Sequence, residues 1–73
     1  MTFDEFLVLH ARSPRPRGQR NGQWVFNHVH LIRPDVANQL RGTPSDCFYS
    51  DEMISAFLDD ARGLWGATDL GAK

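Results

Sequence analysis

Three short breaks cut this chain into pieces too small for anything but short elements. Ser13-Pro14-Arg15-Pro16 stops any helix begun upstream, because proline disfavours helical geometry in the residue before it. Arg33-Pro34 breaks a second element and opens a third, since proline at the first helical position loses no hydrogen bond. Gly42, just past Leu40 and Arg41, suits the left-handed residue that ends a helix.

Between the breaks, apolar residues recur with helical spacing. Phe3, Phe6, Leu7 and His10 fall at i, i+3, i+4 and i+7, and Thr2 with Glu5 has the spacing of a capping box. In the second piece, Leu31, Trp24, Ile32, Val25, Val29 and Phe26 sweep an arc of about 220° at 100° per residue. So wide an arc predicts a central helix, capped by Asn21, with neighbours on most sides. Val36, Ala37 and Leu40 give the third piece a short apolar side. Ser50 caps the fourth, Asp51 and Glu52 fill its first turn, and Ile54, Phe57, Leu58, Ala61, Leu64 and Trp65 keep the pattern to Gly66. Phe48 and Tyr49 are expected to fold under the preceding loop as core plugs. The prediction is an all-α, compact bundle of about four short helices, over about 3–12, 22–33, 34–41 and 51–65. They form a single domain, 1–66, with a frayed tail, 67–73. At 73 residues such a chain buries only about 60% of its unfolded surface, so its stability should be small.

Composition removes whole classes of function. No run approaches the ~20 apolar residues of a membrane span, so no membrane role is expected. Asp4 and Glu5 stand where a signal peptide carries basic residues. The single cysteine, Cys47, rules out an internal disulfide and fits a reducing cytoplasm. A net charge of −1 provides no global field for nucleic acid.

Charge is nonetheless segregated. Arg12, Arg15, Arg17 and Arg20 lie together with no acid among them, while Asp46, Asp51, Glu52, Asp59 and Asp60 lie together with no base. The arginines either bind a partner's carboxylates or phosphates through their forked donors, or brace the acidic segment. A second candidate is the stripe of Gln23, Asn27 and His30, the only polar sector on the central helix. It is either solvated surface or a groove that hydrogen-bonds a partner.

Constellations for chemistry are missing. His28 and His30 point about 200° apart on a helix and cannot share a metal ion. His28 falls inside the apolar arc and reads as a half-buried structural histidine, with His10 able to approach across the bundle. Cys47 reads as an inert thiol, Asp59 and Asp60 diverge on a helix, and the serines and glycines form neither a nucleophile elbow nor a phosphate loop. No enzyme, metal or cofactor is expected. The second and third helices lack the turn of a helix-turn-helix, and four cations without interleaved aromatics, beside an acidic helix, argue against nucleic acid.

Arg20-Asn21-Gly22-Gln23, Phe26-Asn27, Arg33-Pro34-Asp35, Ala37, Arg41-Gly42-Thr43 and Phe48-Tyr49 together resemble small helical proteins encoded in phage and prophage genomes of high-GC hosts. The resemblance covers residues 20–65. It implies an accessory protein of phage type in a bacterial cytoplasm and carries over no binding residue. The expected function is a protein-interaction module that binds and modulates another protein, a host factor or defence component. The alternatives are a small nucleic-acid-binding regulator using Arg12–Arg20, and a self-associating structural component such as a homodimer.

Overall fold

A computed structural model describes residues 1–71, with side chains through residue 66. Its described residues form α1 (Phe3–Arg12), α2 (Asn21–Ile32), α3 (Pro34–Leu40) and α4 (Ile54–Gly71), with a 3₁₀ turn at Asp51–Met53 and no strand. The all-α bundle expected from the periodicity is the observed architecture.

Local chemistry accounts for three of the boundaries. The Thr2 hydroxyl accepts from the Glu5 amide at 3.1 Å, and the Glu5 carboxylate accepts from the Thr2 amide at 2.7 Å, which closes the capping box. Pro34 opens α3 at its first turn. Gly42 follows α3 with φ +75°, a conformation that a Cβ would strain. The Thr43 amide and hydroxyl then bond the Leu40 carbonyl.

The core is one cluster to which every helix contributes. Phe3 and Phe6 of α1, Val25, Phe26 and Val29 of α2, and Val36, Ala37 and Leu40 of α3 meet Phe57, Ala61 and Trp65 of α4. Trp65 is fully buried and its indole N–H donates to the Met1 carbonyl at 2.9 Å; among the described residues no buried side-chain nitrogen or oxygen lacks a partner. The Arg33 guanidinium lies 5.1 Å from the Trp65 ring centroid and is held by two bonds to Asp35. That pairing holds the Asp35 carboxyl below its ordinary pKa.

Several expectations are corrected. Arg20 rather than Asn21 occupies the N-cap of α2, with no side-chain cap bond. The Ser50 side chain caps nothing, and Asp51 and Glu52 lie in the 3₁₀ turn ahead of α4. Gly66 does not end α4, which runs on to Gly71, because a glycine stops a helix only where it turns left-handed. Fraying beyond that point lies outside the described residues. His28 is buried rather than half-buried. Tyr49 is 82% exposed, and Phe48 alone plugs the loop, meeting Phe26 edge-on at 5.6 Å. Leu31, at the edge of the apolar arc, is 77% exposed.

The tightest approach in the fold is at Gly22, where α2 enters beneath the 47–51 segment. A Cβ there would press inside contact distance of the Cys47 carbonyl oxygen, and would stand 2.9 Å from Asp51 Oδ1 and 3.2 Å from Asp51 Cα. At Gly63 the same atom would meet nothing within 4 Å. Gly22→Ala should therefore cost about 1–3 kcal/mol through overpacking. Gly63→Ala should add about 0.5–1 kcal/mol, the ordinary gain for removing a mid-helix glycine. Thermal melts of the two variants check this, and the expected outcome is shifts of opposite sign.

Candidate functional site

The basic segment divides into residues that hold the fold and residues that face outward. Arg20 donates to the Phe48 carbonyl at 2.7 Å and lies 3.6 Å from Asp51. It therefore braces the acidic segment. Arg15 donates to the Gln19 carbonyl and ties its own loop. Arg12 and Arg17 are exposed and make no ion pair among the described residues. Of the cluster of four, these two keep guanidinium groups available to a partner.

The polar stripe lies on the outer side of α2. Gln23 is half-buried, and His30 is exposed. Asn27 is half-buried and its amide donates to Gln19 Oε1 at 3.1 Å. That bond lays the α1–α2 connection against the first turns of α2 and joins the basic segment to the stripe. Leu31, one turn beyond Asn27, projects from the same side. Sequence reasoning assigned Leu31 to the core. Its angular position gave no separate signal, because Leu31 and the buried Phe26 stand at opposite edges of the arc, equally near the polar sector.

Behind this face, α1 and α2 are joined by two histidines. His10 Nδ1 and His28 Nδ1 are 2.8 Å apart, so one donates and the other accepts. His28 stacks on Trp24 with ring centroids 4.4 Å apart and an interplanar angle of 11°. Phe6 covers both imidazoles. Burial pushes both pKa values down, and His28 lowers His10 further by charge repulsion. His28 is turned inward while His30 is exposed, as the helical geometry of the pair requires. Among the described residues no cluster of three or more His, Cys, Asp or Glu side chains is arranged to hold a metal ion. Cys47 is fully buried, donates to the Gly22 carbonyl at 3.2 Å, and has its thiol pKa pushed up to about 12, mainly by desolvation. It stays a thiol at neutral pH and is no nucleophile.

The fold and this face define a small helical domain with a mixed polar and apolar surface on its central helix. No family model matches the chain, and no curated protein or solved structure was found to be similar. No helix among the described residues is long and apolar enough to cross a membrane.

The histidine pair sets a pH dependence. Its folded pKa values lie below the unfolded value of about 6.5, so the unfolded chain binds more protons in that window. Stability should be full above about pH 6.5 and fall as the pH drops below it, before the carboxylates protonate near pH 4. Urea midpoints measured from pH 7.5 to pH 5 should fall for the wild type, with a shallower slope in His10→Gln.

Proposed function

We propose that this protein is an interaction module that binds and modulates another protein through the outer side of α2. The observation that carries the reading is Leu31, a large aliphatic side chain 77% exposed beside Asn27 and His30. An apolar anchor ringed by amide and imidazole groups has the makeup of an interface centre with a polar rim. Gln23 and Asn27 supply donors and acceptors, and Arg12 and Arg17 supply forks for a partner's carboxylates. The resemblance to phage and prophage proteins supports a bacterial protein as partner, a host factor or a defence component, met in the bacterial cytoplasm.

The test is affinity capture from bacterial lysate with and without nuclease treatment, followed by calorimetric titration of the purified captured protein. Leu31→Asp should weaken binding at least about tenfold and leave the melting temperature unchanged, as a truncated interface anchor costs more than about 1.4 kcal/mol. Asn27→Ala should weaken binding and lower stability slightly through the lost bond to Gln19. Equal affinity of Leu31→Asp and wild type would overturn the assigned face. Capture that vanishes on nuclease treatment would favour the nucleic-acid reading.

A further inference from the structure

The acidic segment of the sequence forms one rim of a groove between α3 and α4. Its lining is Leu40, Leu64, Gly63, Asp59 and Asp60, around about 390 Å³. Gly63 leaves the floor open, since no atom lies within 4 Å of where its Cβ would stand. Asp59 is exposed and makes no ion pair among the described residues. Among the described residues the Asp60 carboxylate accepts only from the Ser45 hydroxyl, at 2.5 Å.

The complementary element lies on the same chain. Residues 14–16 have no helical or strand structure, and Pro14 and Pro16 predispose them to an extended conformation that loses little entropy on docking. Arg12 and Arg17, at the two ends of this segment, have no ion-pair partner among the described residues. The segment cannot serve its own groove. Ser13 is tied to the Leu9 carbonyl at the end of α1, while Gln19 is tied to Asn27 of α2 and Arg20 to Phe48, so each end is pinned to the fold of its own copy. No contact joins it to Asp59 or Asp60 among the described residues.

We propose that the α3–α4 groove receives the Arg12–Arg17 segment of a second copy, with the arginines on Asp59 and Asp60 and the prolines over Leu40, Leu64 and Gly63. Charge complementarity selects this occupant, and the near-zero net charge of −1 raises no general repulsion between copies. The contact joins two different patches, so it either pairs reciprocally in a two-fold dimer or repeats head-to-tail along a chain or ring of copies. Exposed ion pairs make it weak and sensitive to salt. It shares Arg12 and Arg17 with the α2 reading but does not rest on it, because the anchor of that reading, Leu31, lies outside this contact.

Sedimentation velocity on the purified protein tests the proposal. The wild type should associate as its concentration rises at about 0.01 M salt and return to an 8.3 kDa monomer near 1 M, where the screening length falls to about 3 Å. Arg12→Glu/Arg17→Glu and Asp59→Arg/Asp60→Arg should each be monomeric, and mixing the two should restore association. Gly63→Leu, whose Cβ meets nothing within 4 Å, projects into the groove and should stay monomeric with an unchanged or raised melting temperature. Leu31→Asp should associate like the wild type. A wild type that remains monomeric at low salt would overturn the proposal. So would a mixture of folded charge variants that fails to associate, or a Gly63→Leu variant that still does.

Discussion

The seating of the α2 N-terminus beneath the 47–51 segment is the contact on which the arrangement depends. A helix begins with amide groups that have no partner within it and with the positive end of its dipole. In α2 the first turn holds no acidic residue, and the N-cap supplies no side-chain bond. The deficit is met from 29 residues away, where Asp51 Oδ1 accepts from the Gly22 amide at 2.9 Å. Cys47 donates to the carbonyl of the same glycine, and Arg20 clasps the Phe48 carbonyl. One residue of α2 is thus bound on both its amide and its carbonyl side, and the Cys47 carbonyl oxygen and Asp51 lie so close that no Cβ fits there.

That seat organises the remainder. It fixes where α4 starts, since Asp51 lies in the 3₁₀ turn leading into it. It fixes the rotation of α2, so that Val25, Phe26, His28 and Val29 face inward while His30 and Leu31 face out. The inward turn of His28 in turn places its Nδ1 against His10 and docks α1. Arg20 also contributes to the seat, which separates it from Arg12 and Arg17, although the four arginines look alike in the sequence.

What was legible depended on how far each cause lies along the chain. The capping box at Thr2 and Glu5, Pro34 at the head of α3 and Gly42 behind it act within four residues, and each is where the sequence puts it. The buried face of α4 followed from periodicity, with Phe57, Ala61 and Trp65 fully enclosed. The cap of α2 was not legible, because its acceptor sits in another element. Asp51 looked like a first-turn residue of its own helix and serves a different one. Gly66 misled because glycine weakens a helix interior by about 1 kcal/mol without ending it. In the candidate site, the angular count found the Gln23, Asn27 and His30 stripe but counted Leu31 as core. Whether a residue at an arc's edge is covered depends on the neighbouring helix, not on its own.

Amide hydrogen exchange at Gly22 tests the central claim most directly. First-turn amides normally exchange freely, since no group within the helix accepts from them. The tertiary cap predicts a Gly22 amide protected to nearly the level of core amides such as that of Val29, with Asp51→Ala removing that protection while the core of α4 keeps its own. A Gly22 amide that exchanges freely in the wild type, or that stays protected in Asp51→Ala, would contradict it.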